Sequence, residues 1–497
     1  MFVNVNIAHS IAKIALFLSV KTTLYEDFMD KTAKGRENLY RPFGIKDKIG
    51  YLMGDFGNDF TFVLSSSFLL KFYTDVMGVN AAIVGVVMML ARFVDAFTDV
   101  AMGRICDKAK KRRSGKFKPW ILRMCAPVAI ASFLIYQSSL ASMPLGFKVG
   151  WLTVTYILWG SIFYTSINIP YGSMASAISQ EPADRQSLST WRSMGASLAG
   201  LVIGAGIPLI VYEKAVKDGA TVTVMIGERF TLVAGALSLF SIVAYLLCYY
   251  LTTERVLPNE NREEHRSVKE LIKNSVKNRS IISVIAASIV MLLSQLTLQG
   301  MANYIYPNYY NNSGAMAAST VAMVISMFIA AAVAKPLSEK IGKAEISAAS
   351  SAVAAFICLL LFFLRPLSVW TYVAFNFLSW LGLGIYSMVS WALITDVIDD
   401  AEIKNGVRED GSIYALYSFA RKLGQAAAAG LTGALLTAIG YSEATAFDRG
   451  VLDGIYNIAT LLPALGFGLL ALILWFWYPL HKDRVTENVE ILKKKRL

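Results

Sequence analysis

Stretches without a single charged residue recur along the chain, at 149–180, 193–212, 230–253, 280–334, 366–395 and 454–480. A helix needs about 20 mostly apolar residues to cross a bilayer, so 280–334 must hold two such helices and each of the others one. Read end to end, the apolar runs predict twelve spanning helices. They lie near 48–73, 79–103, 119–141, 149–178, 187–212, 230–252, 280–306, 316–336, 344–364, 368–396, 411–438 and 452–479. The polar positions between them are not alike. Residues 104–118 carry eight Lys/Arg, 254–279 seven and 482–497 six. Basic residues gather in cytoplasmic loops, so both N and C termini are expected in the cytoplasm, as an even number of spans requires.

The longest charged connection follows the sixth helix and divides the chain. The predicted organisation is an N-terminal extension at residues 1–45, a six-helix half at 46–252, and a central cytoplasmic loop at 253–279. A second six-helix half follows at 280–480, then a basic tail at 481–497. Two six-helix halves around a central loop resemble the major facilitator fold, with substrate expected between the halves near the midplane. In the extension, Ala8 to Val20 is apolar but too short to span, and no positive charge precedes it as a signal peptide requires. A surface amphipathic segment, or a start at Met29, are the readings considered there. In the tail, Lys493-Lys494-Lys495-Arg496 is expected to set orientation and lie against anionic lipid.

Composition narrows the class. Of 497 residues, 55% are hydrophobic and 16% charged, which describes an all-α membrane protein rather than a soluble globule. The net charge of +12 sits in loops between apolar runs, so no nucleic-acid partner is inferred. Cys106, Cys125, Cys248 and Cys358 form no CxxC pair and read as small packing residues. His9, His265 and His481 lie outside the spans, which argues against a histidine proton relay. With no phosphate-binding GxxxxGK[ST] loop and no HExxH, no enzyme activity and no cofactor are expected.

The candidate chemistry begins at Gly54-Asp55-Phe56-Gly57-Asn58-Asp59. Asp55 and Asp59 are four apart, hence on one helix face, and Asp95 and Asp99 repeat the spacing in the next helix. At 1.5 Å per residue, Asp55 and Asp99 lie roughly 6–11 Å from the inner end, and Asp59 and Asp95 roughly 12–17 Å. Arg92, one turn from Asp95, can partner the deeper pair. Carboxylates in such number against one arginine call for another cation or a proton. A transported Na⁺ or H⁺ would supply it, with no other cofactor.

In the fourth helix, Thr165 and Asn168 share a face, and Pro170 frees a carbonyl within the helix. Arg192 and Lys422 offer basic groups to a hydroxyl-rich substrate, and Tyr417 and Ser418, five and four residues before Lys422, are further substrate candidates. Arg421 points about 100° away from Lys422, and one of the two is expected to face the cavity. Single rings such as Trp391 are assigned to interfacial belts rather than to stacking on substrate. Gly103-x-x-x-Asp107-Lys108, followed by Arg112 and Arg113, is expected to latch the cytoplasmic gate.

At these residues the chain resembles the glycoside–pentoside–hexuronide:cation symporter family, of the melibiose-carrier type. The resemblance rests on Gly54–Phe60, Phe72-Tyr73-Thr74-Asp75 and Ala91-Arg92-x-x-Asp95-Ala96-x-x-Asp99. It rests also on Gly115-Lys116-Phe117-Lys118-Pro119-Trp120, Tyr156-Ile157-Leu158-Trp159-Gly160, Asn168-Ile169-Pro170, Ala196–Gly200 and Asp396-x-Ile398-Asp399, and runs from about 45 to 480. It implies that Asp95 and Asp99 hold the coupling cation (Na⁺ if that ion is used), helped by Thr165 and with Asp59 nearby. It implies that Asp59, Asn168 and Arg192 hold a sugar, with Lys422 near both. The melibiose carrier has an aspartate where this chain has Asn168 and a tryptophan where it has Gly172, so the resemblance leaves ion and sugar open.

The expectation is a multi-pass cell-membrane protein that takes up a sugar, glycoside or related carbohydrate by cation-coupled symport and alternating access, working as a monomer. The alternative on the same fold is cation-coupled transport of a lysolipid or other amphiphile.

Overall fold

A computed structural model describes residues 41–109, 112, 114–217, 219–256, 278–406 and 410–496. The expectations for residues 1–40 and for most of the central loop therefore lie outside the described residues. The chain is helical apart from one β-hairpin.

Two compact units divide it, Met1–Ala215 with Val224–Asn261, and Val216–Thr223 with Arg262–Leu497. In the first unit, α1 runs Ile45–Asp75, α2 Ala81–Lys108 and α3 Lys118–Ile135. α4, Leu145–Ile157, passes through a π-helical segment at Leu158–Tyr164 into α5, Thr165–Ile178. α6, Pro182–Leu201, passes likewise through Val202–Gly206 into the short α7, Ile207–Val211. The hairpin strands β1 (Tyr212–Lys217) and β2 (Ala220–Met225) follow, of which Val216–Thr223 is counted with the second unit, and then α8, Gly227–Leu251.

The second unit holds α9 (Arg279–Tyr304), α10 (Ser313–Ile341), α11 (Lys343–Leu364) and α12 (Val369–Asn405). α13 (Asp410–Ala438), α14 (Arg449–Leu472) and α15 (Lys482–Arg496) complete it. Helix starts follow ordinary capping chemistry: the Asn80, Asn278 and Asn312 side chains accept from Ala82 N, Ser280 N and Ala315 N at 2.9, 3.0 and 2.9 Å. Gly406, at φ 72°, closes α12 in the left-handed conformation that glycine adopts without cost.

Nine helices among the described residues are long and apolar enough to cross a membrane. Outward-facing Phe328 and Phe363, 67% and 72% exposed, suit contact with acyl chains rather than water. Three further helical stretches fall below that apolarity: α1, α4–α5 and α13. They carry Asp55 and Asp59, Thr165 and Asn168, and Arg421 and Lys422. The segments least suited to lipid thus hold most of the residues with candidate chemistry.

The basic tail is a helix. It docks on its own unit through buried Asn488 and Leu492, and Lys482 Nζ donates to Lys340 O at 2.7 Å.

Within the first unit, glycines bring α1 close to its neighbours. A Cβ at Gly57 would lie 3.0 Å from both Ser241 O and the Ala244 Cβ of α8, and one at Gly54 would strike Tyr171 and the Cys248 Sγ. Such small-residue seams are how membrane helices approach when no hydrophobic effect drives them together. The seam lets Ser241 Oγ donate to Gly57 O at 2.7 Å.

Candidate functional site

The first unit gathers polar groups from α1, α2, α5, α6 and α8 and from the π-helical segment. Asp55, 5% exposed, accepts from Arg192 Nε of α6 at 2.9 Å. The guanidinium also lies over the Tyr171 ring, 5.3 Å from its centroid. Tyr171 in turn stacks on Tyr51 at 4.6 Å and donates its hydroxyl to Tyr51 O at 2.6 Å. Arg192 is therefore held on two sides, while its side chain remains 39% exposed. A Cβ at Gly172 would lie 3.9 Å from Arg192 Nη1, so the missing side chain leaves that nitrogen accessible. One turn along α1, Asp59 is partly buried and makes no hydrogen bond or salt bridge among the described residues.

The second acid pair faces the α4–α5 rod. Ser161 Oγ donates to Asp95 Oδ1 at 2.5 Å, and Thr165 Oγ1 donates to Asp99 Oδ1 at 2.8 Å. Hydroxyls four residues apart thus meet carboxylates four residues apart, because both helices repeat once per turn. Arg92 Nη1 pairs with Asp95 Oδ2 at 3.1 Å, and its guanidinium carbon lies 5.1 Å from the Phe62 ring. No three His, Cys, Asp or Glu side chains converge on a metal-like geometry among the described residues.

Between the two acid pairs lies a polar bridge. Asn58 Nδ2 donates to Tyr164 Oη at 2.8 Å and to Asn168 Oδ1 at 3.2 Å, and Tyr245 Oη of α8 donates to Asn58 Oδ1 at 3.0 Å. Asn168 therefore reaches α1 through Asn58.

In the second unit Lys422 and Ser418 are partly buried and Tyr417 is buried on α13. Of the gate residues, Gly103 is partly exposed on α2. Arg112 exchanges backbone hydrogen bonds with Gly115 at 3.0 and 3.1 Å. The side chain of Asp107 and all of Arg113 lie outside the described residues.

A family model described as MFS/sugar transport protein matches residues 50–482. The chain belongs to this family. It is a multi-pass cell-membrane transporter and not an enzyme. The "Uncharacterized symporter YjmB" of Bacillus subtilis is 29% identical over 454 residues, 91% of this chain and 96% of that one. The "Glucuronide carrier protein homolog" of Escherichia coli is 30% identical over 454 residues, covering 90% and 96%. The "Isoprimeverose transporter" of Lactiplantibacillus pentosus is 28% identical over 433 residues, covering 87% and 88%. Among solved structures, the nucleoside transporter NupG aligns with a TM-score of 0.60 at 12% identity, over 88% of this chain and 99% of that one. The D-xylose–proton symporter aligns at 0.55 and 14%, over 88% and 97%. These likenesses establish the fold of the transporter.

Sequence reasoning missed three parts of the transporter's polar network. Asn58 sits inside the motif that drew attention to Asp55 and Asp59, yet an amide flanked by acids carried no separate signal. Ser161 lies four residues before Thr165, a spacing that was available to find it. Glu254 had no signal at all. Its carboxylate accepts from Lys116 N, Phe117 N and Lys118 N at 2.6, 2.9 and 2.7 Å, in the loop that Gly115 turns at φ 124°. Only folding brings the end of α8 to the start of α3.

Proposed function

We propose that this transporter is a secondary active symporter that moves a sugar or glycoside together with Na⁺ or H⁺. It crosses the membrane twelve times, the nine apolar helices joined by α1, α4–α5 and α13, with both termini in the cytoplasm, and it works as a monomer. The observation that carries the coupling is the matched pair of contacts Ser161–Asp95 and Thr165–Asp99. Two carboxylates one turn apart, each already oriented by a hydroxyl, form an oxygen-lined seat for a small cation inside a spanning helix. The cost of holding acids there is offset when the cation arrives.

Asp59, without a hydrogen bond or salt bridge among the described residues, and Arg192, whose Nη1 lies beside Gly172, are the groups of the first unit assigned to sugar hydroxyls, with Asn168. Carboxylates and guanidinium groups make charge-assisted hydrogen bonds about twice as strong as neutral ones. A relative named for a glucuronide and one named for isoprimeverose support a carbohydrate cargo. Cation binding and sugar binding then favour each other by one coupling free energy, equal in both directions. Alternating access exposes these groups to one side of the membrane and then the other.

The test is uptake of labelled sugars into proteoliposomes under imposed Na⁺ or H⁺ gradients, after a thermal-shift screen of sugars with and without Na⁺. Accumulation driven by one of the gradients supports the reading. Sugar uptake indifferent to both gradients would falsify it.

A further inference from the structure

The symport reading gives the amide of Asn58 no role. This side chain lies on α1 between Asp55 and Asp59, is 2% exposed, and has both ends of its amide engaged. Nδ2 donates to Tyr164 Oη at 2.8 Å and to Asn168 Oδ1 at 3.2 Å, while Oδ1 accepts from Tyr245 Oη at 3.0 Å. The backbone here is held as well. Ser241 Oγ donates to the preceding carbonyl at 2.7 Å, and Thr61 Oγ1 donates to Asn58 O at 3.1 Å.

This network has a second arrangement that is equally complete. The two ends of an amide are alike in shape, and a tyrosine hydroxyl can donate or accept. With both amides turned over, Tyr164 Oη and Asn168 Nδ2 donate to Asn58 Oδ1, and Asn58 Nδ2 donates to Tyr245 Oη. The same three contacts persist, and only the end of Asn168 left over changes. As described above, Oδ1 of Asn168 is spent on Asn58, and its Nδ2 makes no hydrogen bond among the described residues. In the reversed arrangement Nδ2 is spent and Oδ1 is left to accept. A nearby charge chooses between the two, because amide dipoles orient in the local field. Thr165, which donates to Asp99 at 2.8 Å, is three residues before Asn168 on the same helix face. Unbalanced acids there favour the N–H end of Asn168, and a cation seated on them favours the oxygen.

We propose that Asn58 and Asn168 form a reversible amide relay, in which the coupling cation turns Asn168 Oδ1 toward the ligand as an acceptor for a sugar hydroxyl. Asn58 and Tyr245 are then positioning residues that act through Asn168. This rests on the symport reading above and deepens it. The relay is a two-state element that both ligands bias in the same direction, which a coupling free energy requires.

The experiment is calorimetry on the purified full-length protein with isoprimeverose and methyl β-D-glucuronide, in Na⁺ or choline and at pH 6 and 8. The wild type is expected to bind a sugar about fivefold or more tightly when the cation is supplied. Asn58→Asp places a carboxylate, which only accepts, at the centre of the relay and holds it reversed. Its affinity without the cation should rise to near the wild-type value with the cation, which then adds less than about twofold. Tyr245→Phe leaves one end of the Asn58 amide against an apolar ring. An NH₂ there loses two donors' worth of partners and a carbonyl one acceptor's, so the unreversed arrangement is favoured. Its affinity with the cation should fall to near the cation-free wild-type value. The two variants thus lose coupling in opposite directions, whereas a loss of packing lowers both affinities and leaves their ratio. A wild-type ratio retained in either variant overturns the relay and leaves the symport reading standing. A wild type that binds a sugar without response to Na⁺ or pH, or binds neither sugar, overturns both.

Discussion

Replacing Asp95 by asparagine removes one negative charge and keeps the shape of the side chain. Asp95 accepts from Ser161 at 2.5 Å and pairs with Arg92 at 3.1 Å. A monovalent cation about 4 Å from the carboxylate gains about 4 kcal/mol at an effective dielectric near 20. In the variant that attraction disappears. Arg92 meanwhile keeps its charge and loses its partner, which opposes the cation further. The expected loss is at least about 3 kcal/mol, more than a hundredfold in apparent ion affinity. The assay is initial sugar uptake by proteoliposomes as a function of external Na⁺, repeated with a pH gradient. Asp95→Asn should show no stimulation over the range that saturates the wild type. A variant whose ion dependence matches the wild type refutes the electrostatic reasoning, because the removed charge would then have had no cation to hold.

Three further outcomes are expected. Thr165→Ala removes the hydroxyl 2.8 Å from Asp99 and should weaken ion activation by about 1 kcal/mol, roughly fivefold, with Thr165→Ser retaining most of it. Asp55→Asn removes the negative charge that Arg192 meets at 2.9 Å, leaving only a neutral amide oxygen to accept from it, and should lower thermal stability. Adding Arg192→Gln should recover part of the loss, giving a coupling energy of about 1–3 kcal/mol in a double-mutant cycle; strict additivity would deny the pair. Glu254→Gln weakens three charge-assisted bonds to Lys116, Phe117 and Lys118 and should destabilise the protein by about 2–4 kcal/mol. Limited proteolysis should then cut the 112–118 loop faster, and unchanged cleavage counts against the clamp.

The helices were largely legible because apolar run length is a direct physical requirement of the bilayer. Thus 48–73 corresponds to Ile45–Asp75 and 344–364 to Lys343–Leu364. Ends were less legible where polar residues continue a helix: α2 runs on to Lys108 and α12 to Asn405 rather than stopping with the apolar run. The π-helical segments at Leu158–Tyr164 and Ile473–Trp477 leave no mark in an apolarity pattern, since they alter hydrogen-bond register and not composition. For the site, spacing on one helix was readable, as with Asp95 and Asp99. So was the pairing of Arg92 with Asp95, one turn apart on the same helix, and the structure shows it. Partnership across helices was not readable. Nothing local indicated that Arg192 would sit on Asp55, or that Asn58 would join Tyr164, Asn168 and Tyr245, because each bond links positions more than a hundred residues apart.

The bond from Ser241 to the Gly57 carbonyl fastens α8 to α1 directly beside Asn58. With no side chain between the two backbones at that point, neither helix has slack to slide past the other. They constitute a strut, and Asp55, Asn58, Asp59 and Tyr245 ride on it as fixed fittings. Any rearrangement that accompanies turnover must then be taken up by other members of the unit. The rod of α4 and α5 changes its hydrogen-bond register at the π-helical turn Leu158–Tyr164, the kind of place where a helix bends. A pair of distance probes spanning the strut should read the same separation throughout the cycle, whatever the cargo.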